Sequence, residues 1–141
     1  MTFLPDVNVL IALLDPHHVS HEAAHRWFGE TGQHSWATCP ITENGVIRII
    51  SHAKYPNVAG TPAAITMIAA LRKHPGHVFW PDDLSLADED LIEAKHLLSP
   101  AQVTDSYLLA LAQSRGGKLA TFDRRLVTAA VRGGKAALHH L

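Results

Sequence analysis

The chain has little cysteine and no long apolar run. Its one cysteine, Cys39, cannot form an internal disulfide, and a single thiol also excludes a zinc site built on several cysteines. No segment has the length of apolar residues that spans a bilayer. The apolar N-terminal residues are interrupted by Asp6 and Asn8 and lack the positive flank of a signal peptide. We therefore expect a cytoplasmic protein that does not enter a membrane.

Two nucleotide-binding signatures are also missing. Neither GxxxxGK nor GxGxxG occurs in the sequence, which argues against a nucleotide-binding fold. The composition is otherwise ordinary: 47% of the 141 residues are hydrophobic and 18% are charged, so the chain has the material for a packed core. With no repeats or linker-like segments, we expect a single domain over residues 1–141.

Short apolar segments alternate with amphipathic ones along the chain. We predict strands at 2–7, 35–38, 77–80 and 118–122, with a further edge strand at 137–140. We predict helices at 8–14, from Ser20 to Gly29, from Pro40 through Ile50, and at 62–73, 86–98, 104–113 and 124–131, with Thr104 as the cap of its helix. This alternation predicts an α/β fold, with a mostly parallel central sheet of four to five strands and helices on both faces.

Four acidic residues end or follow apolar runs at separate places in the chain. They are Asp6, Glu43, Asp105 and Asp123. Asp6 and Asp123 lie at the carboxyl ends of predicted strands, whereas Glu43 and Asp105 lie in the first turn of predicted helices. Because ligands of parallel sheets bind beyond the carboxyl ends of the strands, we expect all four carboxylates to converge on one pocket.

A divalent metal is the expected partner of these carboxylates. No Lys or Arg recurs beside all four, and four neighbouring carboxylates repel one another without a counter-ion. Ligands that are all oxygen suit Mg²⁺ or Mn²⁺ better than zinc. Such an ion can activate a water molecule and stabilise charge on a phosphodiester. The pattern therefore favours hydrolysis of a phosphodiester with all four acids as catalytic and metal-binding residues.

Three segments resemble a known family. Residues 5–13 (PDVNVLIAL), 104–112 (TDSYLLALA) and 119–124 (LATFDR) closely resemble the PIN domain. Within that family they are most similar to VapC-type toxins of bacterial toxin–antitoxin pairs, particularly the mycobacterial ones. The resemblance covers the whole chain. It implies a three-layer sandwich and a metal-dependent endoribonuclease.

The resemblance also implies roles and partners. The four acids would form the catalytic quartet, and Asn8 and Thr121 would support them. Some PIN nucleases carry a further acid two residues beyond the position of Asp123, whereas this chain has Arg125 there, which puts a full second metal site in doubt. The implied partners are RNA, a small antitoxin that holds the enzyme inactive, and a second copy of the chain in a homodimer.

Basic residues are concentrated near the C-terminus and offer a candidate phosphate track. They are Arg115, Lys118, Arg124, Arg125, Arg132 and Lys135, and Arg48 lies on the helix that carries Glu43. We take Arg48, Arg115, Lys118, Arg124 and Arg125 as candidate RNA contacts. A solvated helix face or structural ion pairs would explain the same residues.

Other interpretations remain open. His17, His21 and His25 follow i, i+4 spacing and suggest zinc, although Pro16 disfavours a helical His17. Asp82 would extend the acidic site or be solvated in a loop. The chain would alternatively be an RNA-processing nuclease that is not a toxin, or a protein-binding module without catalysis. Metal-dependent activity that is lost on mutating one acid separates a nuclease from a binding module.

Overall fold

A five-stranded parallel sheet forms the centre of the molecule, in a computed structural model that describes residues 1–141. The strands are β1 (Phe3–Pro5), β2 (Trp36–Thr38), β3 (His77–Phe79), β4 (Lys118–Thr121) and β5 (Leu138–His140). Their spatial order is β3-β2-β1-β4-β5, and every neighbouring pair is parallel. The predicted parallel sheet is confirmed. All carboxyl ends therefore lie at one edge of the sheet, with β1 in the centre.

Five helices cover both faces of this sheet. They are α1 (Val7–Leu14), α2 (His21–Glu30), α3 (Pro40–Ile50), α4 (Thr61–Arg72) and α5 (Val103–Ser114). Successive residues of β1 point to opposite faces: Leu4 belongs to the core cluster of α5, while the Phe3 ring meets Trp27 of α2 with ring centroids 5.6 Å apart. The helices α1 to α4 occupy the second face. The predicted three-layer α/β sandwich is confirmed.

The start of α1 is fixed by Asp6. Pro5 ends β1, and Asp6 then adopts an extended conformation in which its carboxylate accepts a hydrogen bond from the Val9 N–H at 2.9 Å. Residues 9–13 of α1 are all buried, so this short helix is apolar on every side. Burial of α1 holds the Asp6 carboxylate at the carboxyl edge of the sheet.

Close packing of α1 against α3 shapes the same edge. A Cβ atom at Gly45 of α3 would lie 2.7 Å from a methyl group of Val7, so only glycine allows this approach. The first turn of α3 begins with Pro40, and the carboxylate of Asp82 accepts a hydrogen bond from the Ile41 N–H at 3.0 Å. Asp82 therefore stabilises the start of α3 and is not simply solvated.

The predicted helix over residues 86–98 is wrong. This segment consists of turns with one 3-10 helix, Ala94–His96. Side chains hydrogen-bond the nearby backbone: Asp88 accepts from the Asp90 N–H at 2.9 Å, which competes with helix formation. The backbone of Glu93 bonds instead to Ala130 at 2.8 Å, and Ile92 forms a bridge with Val131.

Two further expectations are corrected. Residues 124–131 form turns and no helix, because Asp123 accepts a hydrogen bond from the Arg125 N–H at 2.8 Å and so stabilises a local turn. Thr104 does not cap α5, which already begins at Val103 with Gln102 before it. The edge strand β5 and the helix predicted at 62–73 are confirmed. None of the helices has the length and apolar character needed to cross a membrane.

Candidate active site at the carboxyl edge of the sheet

A pocket of about 460 Å³ opens at the carboxyl edge of β1. Three helices supply its polar side chains. They are Asp6 and Asn8 at the start of α1, Asn44 and Arg48 on α3, and Thr104 and Asp105 at the start of α5. This is the place where parallel α/β sheets bind their ligands.

Asp6 is the most buried acid of this pocket, with 6% of its surface exposed. One carboxylate oxygen accepts from the Val9 N–H, and the other accepts from the hydroxyl of Thr121 at 2.6 Å. Burial raises the pKa of Asp6 from 3.8 to about 6, these two hydrogen bonds lower it, and the charges of Asp105 and Asp123 raise it further. The surroundings of Asp6 therefore disfavour its ionised form.

Asp105 and Asp123 belong to the same group of interacting carboxylates. Burial raises the pKa of the half-buried Asp105, and the charge of Asp123 raises it as well. Asp123 is exposed, and its N–H donates to the Thr121 hydroxyl at 3.0 Å, so Thr121 contacts both Asp6 and Asp123. None of the ion pairs in the structure involves Asp6, Asp105 or Asp123. The three carboxylates thus lie together without a cation of the protein.

Glu43 is directed elsewhere. Its carboxylate accepts a hydrogen bond from the Thr38 hydroxyl at 2.6 Å and forms an ion pair with Arg72 of α4 at 3.5 Å. The Arg72 guanidinium in turn lies 4.6 Å from the centre of the Phe79 ring. Glu43 does not line the pocket. The structure therefore places Asp6 and Asp105 in the pocket wall, with Asp123 near enough to raise the pKa of both, and turns Glu43 towards β2 and β3.

The two predicted supporting residues occupy different positions. Thr121 is completely buried at the end of β4, where its hydroxyl donates to Asp6. Asn8 is exposed on the first turn of α1 and lines the pocket. Thr121 can fix the orientation of the acids, whereas Asn8 faces the space that a ligand would occupy.

The candidate RNA contacts are dispersed. Arg48 lines the pocket. Arg115 lies at the far end of α5 from Asp105 and forms an ion pair with Asp83 at 3.0 Å. Lys118 begins β4, at the amino edge of the sheet. Arg124 and Arg125 follow Asp123, and the Arg124 guanidinium donates to the carbonyl oxygen of Leu141 at 2.9 Å. Only Arg48 among the five is part of the pocket wall.

The histidines at i, i+4 spacing have backbone partners. A ring nitrogen of His21 lies 2.7 Å from the carbonyl oxygen of Ala12, and one of His25 lies 2.9 Å from that of Leu13. Both carbonyls belong to the last turn of α1, which lacks further helical donors. These two rings therefore provide hydrogen-bond partners for carbonyl oxygens at the C-terminal end of α1.

The residues present fit a metal that keeps part of its water. The structure contains no group of three or more His, Cys, Asp or Glu side chains placed to hold a metal ion. Mg²⁺ usually binds one or two carboxylates and completes its octahedron with water and phosphate oxygens. Asp6, with Asp105 and Asp123 nearby, offers an oxygen donor set of that kind.

Two pocket residues were not identified from the sequence. Asn44 and Thr104 both line the pocket, each directly next to a predicted acid in the chain. Asn44 precedes Arg48 by four positions, so the two side chains share one face of α3. This spacing could have indicated Asn44.

Sequence comparisons identify relatives of the chain. Residues 3–131 match the PIN domain family. The chain is 43% identical over its whole length to Ribonuclease VapC44 of Mycobacterium tuberculosis strain H37Rv and covers 98% of it. It is 47% identical over 134 residues to Ribonuclease VapC39 of the same strain, covering 94% of this chain and 96% of that protein.

Solved structures share the fold at low sequence identity. The crystal structure of M. tuberculosis VapC20, described as a Sarcin-Ricin loop cleaving toxin, matches with a TM-score of 0.64 and 15% identity over 88% of this chain and 92% of that one. VapBC2 from Rickettsia felis, bound to a DNA fragment from its promoter, matches with a TM-score of 0.63 and 12% identity over 100% and 99%. The chain belongs to the PIN domain family and, within it, to the VapC ribonucleases.

Proposed function

We propose that this protein is a metal-dependent endoribonuclease that acts as the toxin of a type II toxin–antitoxin system. One observation carries the proposal: the buried carboxylate of Asp6 lies with Asp105 and Asp123 at the carboxyl edge of β1, and no cation of the protein pairs with them. Membership in the VapC ribonucleases makes RNA the substrate.

The chain's own residues would prepare the site as follows. Asp6 would hold Mg²⁺ or Mn²⁺, and its carboxylate is kept in place by hydrogen bonds from the Thr121 hydroxyl and the Val9 N–H. Asp105 and Asp123, whose charges act on the same site, would orient the attacking water and help to hold the ion. When bound, the ion lowers the pKa of water and neutralises charge on the scissile phosphate. Arg48 lies on the pocket wall and would contact a phosphate oxygen of the substrate.

Glu43 belongs to the proposed catalytic set under one condition. Its carboxylate bonds to Thr38 and Arg72, outside the pocket. Joining the other three acids requires a side-chain rotation that breaks both interactions. Glu43→Gln should lower cleavage if this rotation occurs, and it should leave cleavage unchanged if Glu43 only anchors α3 to α4.

We further propose an antitoxin partner, a homodimer and a cytoplasmic location. A Lys or Arg side chain of the antitoxin would enter the acidic pocket and compete with metal for the carboxylates. Ile65 of α4 is 52% exposed and offers an apolar contact for an amphipathic segment of the partner. Cellular RNA is the target, so the enzyme acts where RNA is translated.

The test of catalysis uses purified protein and a structured RNA. The wild-type protein should cleave it with Mg²⁺ or Mn²⁺ and stop with a chelator. Asp105→Asn and Asp123→Asn should lower the rate by orders of magnitude. Asp90→Asn is the matched control, since Asp90 is exposed and lies in the loop between β3 and α5. Chelator-insensitive cleavage, or full activity of both pocket variants, would refute the metal-nuclease proposal.

The toxin role needs a test in cells. Wild-type protein expressed alone should arrest growth, Asp123→Asn should not, and co-expression of the gene directly upstream should restore growth and yield a co-purifying complex. An RNA-processing nuclease that is not a toxin would cleave RNA in vitro and leave growth unaffected. A binding module without catalysis would do neither.

A further inference from the structure

A second cavity lies beside the acidic pocket on α3. This second cavity, of about 240 Å³, shares Arg48 and Ile49 with the acidic pocket. Its remaining wall comes from the loop after α3, through His52, Lys54, Tyr55 and Pro56. The two cavities are neighbours because they share these two residues, and we call the second one the Arg48–Pro56 groove.

The charged residues differ between the two cavities. Asp6 and Asp105 line the acidic pocket together with Arg48, while the Arg48–Pro56 groove contains Arg48 and Lys54 and no acidic residue. Both cations are exposed, and neither forms an ion pair. By contrast, Arg72, Arg115 and Arg132 each pair with a carboxylate. Arg48 and Lys54 are therefore free to bind an anion.

His52 adds a hydrogen-bond donor to the groove. The Lys54 N–H donates to Nδ1 of His52 at 3.1 Å. Because Nδ1 accepts this bond, the neutral ring carries its proton on Nε2. The Nε2–H group is thus available to a ligand, and the same bond fixes the ring next to Lys54.

The loop that forms the groove is anchored to α1. The Tyr55 hydroxyl donates to the carboxylate of Asp15, and the Asn57 amide donates to the same carboxylate at 2.9 Å. Asp15 is buried, with 7% exposed. These bonds tie the loop to the C-terminal end of α1, so the Tyr55 ring is a fixed wall of the groove.

We propose that the Arg48–Pro56 groove binds the RNA strand on one side of the scissile bond, with Arg48 and Lys54 on successive phosphates and His52 donating from Nε2. This inference rests on the proposed ribonuclease function. Carboxylates repel the backbone phosphates that flank the cleaved one, so cations beside the acidic pocket must hold them.

Binding without cleavage is the direct test. The probe is a short, fluorescent 2′-O-methyl oligoribonucleotide, measured by anisotropy in metal-free buffer at several salt concentrations. Each phosphate contact to a single strand contributes about 0.7 to the slope of log affinity against log salt. The variant Arg48→Gln/Lys54→Gln should therefore bind more weakly and lose about 1.4 from this slope. Arg48→Lys/Lys54→Arg should restore it.

The matched control is Lys73→Gln/Lys95→Gln. It removes the same charge from two exposed lysines that line neither cavity and form no ion pair. The control should keep the wild-type slope. An equal loss of slope in both double variants, or no loss in Arg48→Gln/Lys54→Gln, would overturn the assignment of the groove.

The experiment distinguishes an error in the proposed RNA-binding groove from an error in the proposed ribonuclease function. Lys54 lines only the groove, so Lys54→Gln should raise KM for RNA cleavage with kcat nearly unchanged. Active enzyme with an unchanged KM in this variant would disprove the groove alone. Groove-dependent binding in a protein that cleaves no RNA would disprove the nuclease and support the groove as an RNA-binding surface.

Discussion

Two buried carboxylates flank the same helix and differ in their chemistry. Asp6 precedes α1 and Asp15 follows it, with 6% and 7% of their surfaces exposed. The pKa of Asp15 is lowered, chiefly by the hydrogen bond from Tyr55, whereas burial raises the pKa of Asp6 to about 6. A helix dipole would favour the opposite order, since it stabilises negative charge at the N-terminal end.

The partners of each carboxylate explain this reversal. Asp15 accepts from the Tyr55 hydroxyl, the Asn57 amide and the His17 N–H. Asp6 accepts from two donors and has two carboxylates nearby. Donors next to a buried charge outweigh the dipole of a short helix. A fully satisfied acid is typical of a structural role, and one whose charge is opposed by its surroundings is a candidate functional group.

The largest expected contrast is in catalysis. Asp6→Asn should reduce RNA cleavage by roughly 10³-fold, because loss of the metal removes several kcal/mol of charge stabilisation in the transition state. Asp15→Asn keeps the shape of its site and should retain most of kcat at a temperature where it is folded. Single-turnover cleavage of one structured RNA measures both. Equal losses of kcat in the two variants would remove the distinction between the acids.

The next contrast is the pH dependence of stability without metal. The folded pKa of Asp6, about 6, exceeds its ordinary value of 3.8, so its contribution to stability is full below 3.8 and is lost as pH rises through 6. Ionising Asp6 by pH 7 costs on the order of 3 kcal/mol. Asp15 has a lowered pKa, so its contribution persists above 3.8 and is lost only at lower pH.

Urea denaturation in a chelating buffer between pH 4.5 and 7.5 tests this difference. The wild-type protein should lose stability relative to Asp6→Asn as pH rises across this interval. The lowered pKa values of His77 and His139 change stability in the opposite direction, but they do so in both proteins. Asp15→Asn should lower stability throughout and keep the wild-type slope. The same slope in wild type and Asp6→Asn would show that Asp6 does not titrate in this range.

Metal binding should stabilise the ionised form of Asp6 and should not affect Asp15. Mg²⁺ or Mn²⁺ at 100 times its Kd stabilises the folded state by about 2.7 kcal/mol, which raises Tm by several degrees. Binding near pH 6 should also release protons, because the ion favours ionised Asp6. Asp6→Asn should lose both effects and Asp15→Asn neither. Calorimetry in two buffers of different ionisation enthalpy measures the protons.

Sequence patterns predicted the elements that depend on local apolar periodicity. The sequence alone shows the apolar strands β1 and β4, each followed by an acid, and the apolar helix α5. From these elements, Asp6, Asp105 and Asp123 could be placed at one edge of the sheet. Similarity to PIN domains strengthened that placement. Helix 86–98 was predicted wrongly, since its polar spacing resembles a helix while Asp88 and a bridge to Val131 hold it in turns.

Contacts between distant residues could not be read from the sequence. Glu43 pairs with Arg72, 29 positions further along, and this partner turns it from the pocket. Asp15 meets Tyr55 and Asn57 across separations of 40 and 42 residues. Nothing local marks either pair, because tertiary packing alone brings them together. The direction of an acid's side chain is therefore the least predictable feature of this site.

The smallest contrast concerns the hydroxyl donors of the two acids. Thr121→Val keeps the side-chain shape and removes the hydroxyl that donates to Asp6 and accepts from the Asp123 N–H. Tyr55→Phe removes the hydroxyl that donates to Asp15. Each change should cost about 1–3 kcal/mol near neutral pH, since a buried acceptor loses its partner.

The two variants should differ in pH dependence. Without its donor, ionised Asp6 becomes costlier, so Thr121→Val should move the stability transition of metal-free protein to higher pH and weaken metal binding at pH 6. Tyr55→Phe should raise only the pKa of Asp15 and leave the transition near 6 unchanged. Urea denaturation at several pH values distinguishes the two variants. Ser51→Ala is the control, because it removes a hydroxyl that donates to the Ile47 carbonyl oxygen at the C-terminal end of α3, away from both acids. A shifted transition in Tyr55→Phe would mean that the two acids are coupled through α1.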